Sequence, residues 1–144
     1  MALGAITTTI DGEAYAVELL ASAIAANGIP TTTAGIDLNA LRRDINIKNS
    51  DSVRVGVVTT AGSATMTVTL RVWGRAGALW FRLKDLNASS AAPHTAVAIP
   101  ETSADAIQYS EVVEGVAGCD RLYLEIVAIA GTSTAVTGYA IVGR

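Results

Sequence analysis

The sequence predicts an all-β fold, an antiparallel two-sheet sandwich of about eight strands, and three observations predict it. Met66, Val68, Leu70 and Val72 alternate with Thr65, Thr67, Thr69, Arg71 and Trp73, the period-two pattern of a half-buried strand. Arg121 to Ile129 alternates in the same way, with Leu122, Leu124 and Ile126 on one face and Tyr123, Glu125, Val127 and Ile129 on the other. Five further stretches, Val53–Thr60, Leu79–Leu83, His94–Ile99, Ala106–Val113 and Thr134–Val142, carry β-branched or aromatic residues without a helical period.

Turn chemistry separates these stretches. Ala61-Gly62-Ser63, Gly74 to Gly77, Gly118 to Asp120 and Gly131 to Ser133 supply the residues that tolerate tight reversals, and Asn87-Ala88-Ser89 reads as a further turn. Connections this short favour antiparallel neighbours. Near the start, Asp11-Gly12 suits a two-residue hairpin pairing Ile6–Ile10 with Glu13–Val17. Glu18 to Ala26 is rich in Ala and Leu and ends at Asn27-Gly28 with Pro30 beyond, which fits a strand or a short helix. Ile36 to Arg43 reads as one helical turn or a loop, before an extended segment at Ile45 and Ile47. Connections of varied length point to a jelly-roll sandwich before a closed up-and-down barrel. The 144 residues fit a single domain, 1–144, with residues 1–50 either peripheral strands or an arm.

Composition narrows the function. Charged residues are only 16% of the chain, against roughly 25% in ordinary soluble domains. The net charge of −3 gives no electrostatic attraction to nucleic acid or to an anionic membrane, so neither is an expected partner. Met1 to Ile10 lacks the basic start and apolar stretch of a secretory leader, and Tyr15 to Ile29, the longest apolar candidate, is interrupted and too short to span a bilayer. Cytoplasmic synthesis is expected. One Cys and one His cannot build a disulfide framework or a zinc site, and no cofactor is expected.

Catalytic sets are thin. His94, Asp105 and Ser110 can be written as a triad, yet no serine has the Gly-x-Ser-x-Gly spacing of a nucleophile elbow. Cys119 lacks a neighbouring base or a CxxC partner, and reads as a buried or half-buried turn residue. Glu111 and Glu114 read as strand-edge charges rather than a sugar-cleaving pair. Asp37, Asp44, Asn46, Asn49 and Asp51 offer oxygen ligands without the spacing of a calcium loop. The chain is therefore expected to be no enzyme.

Interface residues are the better candidates. Trp73 falls with Arg71 on the Thr/Arg face of its strand, where it either covers a strand end or anchors a contact, since Trp and Arg are enriched at interface hot spots. Tyr123, Val127 and Ile129 form a row that a monomer seldom leaves uncovered, and with the sparse charge they predict a homo-oligomer, most simply a trimer. Arg42-Arg43, the one adjacent basic pair, is too small for a nucleic-acid patch and reads as meeting a carboxylate in the domain or on a partner.

The stretch Thr67 to Arg75, followed by Leu79-Trp80-Phe81, Gly118 to Leu124 and the closing Gly131 to Thr134, resembles small structural proteins of tailed bacteriophages, above all their jelly-roll capsid decoration, or cement, proteins. The resemblance is one of texture over residues 50–144, with no single diagnostic motif. It implies a virion location on the capsid surface, a homotrimer at threefold or quasi-threefold axes, and the major capsid protein as partner. Two other readings stand beside it: a carbohydrate-binding or fibre-attachment module using Trp73, Trp80 or Tyr123 as a stacking platform, and a hydrolase.

Overall fold

The computed structural model describes residues 6–10, 14–23, 25–44, 46–47, 49–61, 67–89, 98–99, 106–130 and 133–143. The described strands are β1 (Ile6–Ile10), β2 (Ala14–Ala23), β3 (Ile36–Asp37), β4 (Ser52–Ala61), β5 (Thr67–Ala76), β6 (Leu79–Ser89), β7 (Ala98–Ile99), β8 (Ala106–Glu114), β9 (Arg121–Ala130) and β10 (Ser133–Gly143). One helix, α1 (Leu38–Asp44), lies between β3 and β4.

The strands form two antiparallel sheets, ordered β1-β2-β10-β4-β8-β7 and β3-β9-β5-β6. Pairing is nested: β2 with β10, β3 with β9, β4 with β8, and β5 with β6. This is the jelly-roll order, in which one long antiparallel ribbon rolls up so that its paired halves alternate between the sheets. Within residues 1–50, β1 and β2 pair into the larger sheet and β3 into the smaller.

Between the sheets lies an aliphatic core. Val55 and Val57 of β4, Val17 of β2 and Val136 of β10 face Val68, Leu70 and Val72 of β5 and Leu122, Leu124 and Ile126 of β9, all essentially excluded from solvent. Burial of each such side chain contributes roughly 1.5–3 kcal/mol, so the alternation of these strands is the main specification of the fold. It also decides Glu18 to Ala23, where Ala and Leu favour helix locally; pairing with β10 and burial of Leu19 and Leu20 make the segment strand.

Several local expectations are corrected. Ile10 pairs with Ala14, so three residues, not two, separate the partners of the first hairpin. Gly74 lies inside β5, where its lack of a side chain matters: a Cβ there would stand 2.7 Å from Cys119 Sγ and 2.9 Å from Leu83 Cδ1. The reversal falls instead at Gly77, with φ +65°. Asn87-Ala88-Ser89 is no turn but the end of β6, paired with Thr69, Val68 and Thr67. Of His94–Ile99, Ala98–Ile99 is strand and the rest lies outside the described residues. After β3 the chain makes a seven-residue helix, with the Asp37 carboxylate accepting the Ala40 N–H at 2.9 Å as its N-cap.

Candidate functional site: the outer face of the four-stranded sheet

Directly paired residues of an antiparallel sheet share a face, and on the outer face of β9, β5 and β6 this gives three rungs. Glu125, Arg71 and Asp85 form the first; Tyr123, Trp73 and Arg82 the second; Arg121, Arg75 and Trp80 the third. Four of the chain's ten basic residues and both of its tryptophans occupy these nine positions. In a chain with so little charge, that concentration singles out the face.

Hydrogen bonds fix the side chains. Arg71 Nε donates to Asp85 Oδ1 at 2.8 Å, and its Nη1 stands 3.9 Å from Glu125 Oε1. Trp73 Nε1 donates to the same Glu125 oxygen at 2.8 Å. Arg75 grips Asp120 with two bonds, Nε to Oδ1 at 2.9 Å and Nη2 to Oδ2 at 3.1 Å, the planar fork that only arginine offers. Trp80 and Tyr123 meet edge to face with centroids 6.2 Å apart and planes at 66°. Arg82 lies over the Trp73 ring, its Cζ 6.0 Å from the centroid, and among the described residues it has no carboxylate partner.

The electrostatics follow from these contacts. The hydrogen bond from Arg75 holds the Asp120 carboxyl below its ordinary range. The same kind of bond raises Arg71, through Asp85, and Arg75, through Asp120. Burial, with Glu125 adding to it, pushes the Tyr123 phenol up. All these groups keep their ordinary charge near neutrality, so the face is a fixed mosaic of guanidinium, carboxylate and aromatic groups.

Of the residues expected at an interface, Arg71, Trp73 and Tyr123 are brought together here. Val127 and Ile129 are not in the expected row. The register between β5 and β9 shifts between Thr69 and Leu70, which pair with Ala128 and Ile126 and leave Val127 as the extra residue of a bulge. Beyond it the alternation inverts, so Ile129 pairs with the buried Val68 and packs against the core. The expectation that Ile129 faces outward is therefore corrected, and Val127 is half-buried at the bulge.

Arg42 and Arg43 lie elsewhere and part company. Arg42 turns inward, its Nη1 donating to the Cys119 carbonyl at 2.8 Å and to Asn39 Oδ1 at 3.1 Å. It lines a cavity of about 40 Å³ with Leu38, Ile47 and Val116, and its Nε is buried without a partner. Arg43 is exposed and pairs with its neighbour Asp44 at 3.2 Å.

The chemical candidates are dispersed. Ser110 of β8 accepts a hydrogen bond from Arg54 at 3.0 Å, while His94 and Asp105 lie outside the described residues. Glu111 pairs with Lys84 of β6 at 2.9 Å, tying the two sheets together at their edge, and Glu114 is exposed. Cys119 is buried, which raises its thiol above the ordinary value, and its Sγ contacts the Gly115 carbonyl at 3.4 Å. Asp37 is spent on the α1 cap and Asp44 on Arg43. Among the described residues no three His, Cys, Asp or Glu side chains converge as metal ligands, and no helix is long and apolar enough to cross a membrane.

Arg75, Arg82 and Asp85 escaped the sequence reading, although Arg71, Trp73 and Arg75 already alternate within one strand. Their relation to β6 is not readable from spacing, because a second register shift, between Val72 and Trp73, leaves Leu83 as an extra residue. No family model matches the chain, and no curated protein or solved structure does either.

Proposed function

We propose that the protein is a non-catalytic structural component of a phage virion, a trimer that docks on the outside of the head and stabilises contacts between major capsid subunits. The observation that carries this reading is the nine-residue grid centred on Trp73. Apart from the exposed Arg82, its side chains are tied to neighbours by hydrogen bonds, ion pairs or the Trp80–Tyr123 ring contact, which reduces the rotamer entropy left to be lost on docking. Trp, Tyr and Arg are the residue types that dominate binding energy at protein interfaces. The jelly-roll topology and the texture of residues 67–75 and 118–124 add to it.

A protein partner suits this face better than a glycan. A sugar ring stacks on an open aromatic plane, whereas Trp80 and Tyr123 stand at 66° to each other and the Arg82 guanidinium lies over the Trp73 ring, 6.0 Å from its centroid.

The test is co-sedimentation of the purified protein with stripped heads, followed by a thermal-release assay of the packaged genome. A ligand that prefers the intact lattice must stabilise it by RT ln(1 + [L]/Kd) per independent site. Saturating protein is expected to raise the release temperature, and Trp73→Ala to weaken binding more than charge reversal at Arg43. Equal release temperatures with and without protein would reject the reading.

A further inference from the structure

We propose that the segment 25–35 is a fixed strap that replaces a missing strand along the free edge of β9, and that it prevents this edge from pairing with the same edge of a second copy of the chain. The inference does not depend on a virion role, although three residues of the outer face, Arg75, Arg121 and Tyr123, also hold the strap.

Among the described residues, β9 is bordered by β5 on one side over its whole length, but on the other β3 is the only strand and covers only Leu122 and Arg121. Further along that open side, the carboxamide of Asn27 takes over. Its Nδ2 donates to the Leu124 carbonyl at 3.1 Å, and its Oδ1 accepts the Ile126 N–H at 2.7 Å. A carbonyl and the N–H two residues on point to the same side of a strand, where a neighbouring strand would engage them. A carboxamide carries one acceptor and donors in a plane, as a peptide group does, so one side chain supplies what a strand would supply there.

The rest of the strap is held by side chains reaching from the sheet. Tyr123 Oη donates to the Gly28 carbonyl at 2.9 Å. Arg121 donates to the carbonyls of Thr33, Ala34 and Gly35 at 2.9, 2.9 and 3.1 Å, and Arg75 to that of Thr32. Gly35, with φ +74°, allows the chain to leave the strap against Leu122, whose carbonyl a Cβ at that position would strike. The strap is therefore anchored at both ends by groups of β5 and β9.

What it covers explains why a cover is needed. Leu122 to Ala130 reads Leu-Tyr-Leu-Glu-Ile-Val-Ala-Ile-Ala, with Glu125 as its single charge and no Pro or Gly. A β-prone, nearly uncharged segment at an open edge is a template for pairing with an identical segment. Identical edges are always present at equal concentration, which makes a second copy the natural occupant once the strap lifts.

The experiment uses the full chain with Asn27→Ala, and with Ile29→Ser as a control, since Ile29 sits in the strap but is 70% exposed. At a dilution where Asn27→Ala keeps the wild-type mass, amide hydrogen exchange at Ile126 should accelerate by about tenfold or more, as expected for a lost protecting hydrogen bond. Light scattering over a concentration series should show association beyond the wild-type state. Ile29→Ser should match the wild type in both. Should Asn27→Ala fail to fold, Asn27→Asp answers instead: it keeps an acceptor for the Ile126 N–H but loses the donor to Leu124, so it should associate while leaving Ile126 protected. Unchanged exchange at Ile126 in Asn27→Ala overturns the strap, and faster exchange with mass unchanged across the concentration series overturns its protective role. For Asn27→Asp, unchanged mass does the same.

Discussion

Trp73 and Glu125 are joined diagonally across β5 and β9: the indole N–H donates to the carboxylate at 2.8 Å, although the register partner of Trp73 is Tyr123 and that of Glu125 is Arg71. Glu125 is only 6% exposed, so one carboxylate, nearly out of water, links the aromatic rung to the charged rung. Removing it should therefore disturb more than one neighbour. Glu125→Ala is expected to cost about 1–3 kcal/mol, the range for leaving a buried polar partner unsatisfied. Glu125→Gln retains an acceptor for the indole and should cost less. Urea titrations followed by tryptophan fluorescence compare the two, and equal costs would show that the indole bond is unimportant.

Glycines separate by what surrounds them. Gly77 has φ +65° with open space around it, so Gly77→Ala should lose only the conformational penalty, about 1–2 kcal/mol. Gly35 combines φ +74° with a collision against Leu122, and Gly35→Ala should lose clearly more. Thermal melts of the two variants side by side test the ranking.

Stability should fall on acidification through Asp120. Its folded pKa lies below the unfolded value because Arg75 stabilises the carboxylate. The contribution is complete above about pH 4, the ordinary aspartate value, and is lost as pH falls through the folded pKa. Asp120→Asn should flatten this acid limb, as read from denaturation midpoints at successive pH values. An unaltered limb would assign the acid sensitivity to other carboxylates. Because both side chains are only partly exposed, added salt should weaken the effect only modestly.

Cys119 should be inert toward thiol reagents in the folded protein. Burial both raises its pKa and blocks access, and the thiolate is the reactive form. Labelling at pH 8 is expected to run at the rate of opening of the surrounding structure and to become rapid in denaturant. Fast labelling under native conditions would show that the 115–119 turn opens freely.

The alternation of Met66 to Trp73 and of Arg121 to Ile126 determined, from the sequence alone, that two strands bury Val68, Leu70, Leu122 and Leu124 and turn Arg71, Trp73 and Tyr123 outward. Side-chain direction in a strand is a local property with a period of two, so it is legible without knowing the neighbour. Where that period breaks, the sequence is silent. The bulges at Val127 and Leu83 arise from how twisted strands must match each other, and they alone turn Ile129 into the core and bring Arg82 beside Trp73. Residue spacing likewise cannot show that Asn27 meets Ile126, 99 positions away. Such contacts are settled only when the ribbon rolls up, because closing long loops costs entropy that no local segment can offset by itself. The residue types of the outer face were thus written in its strands one by one. Their assembly into a single surface, and the strap along its edge, belong to the tertiary structure.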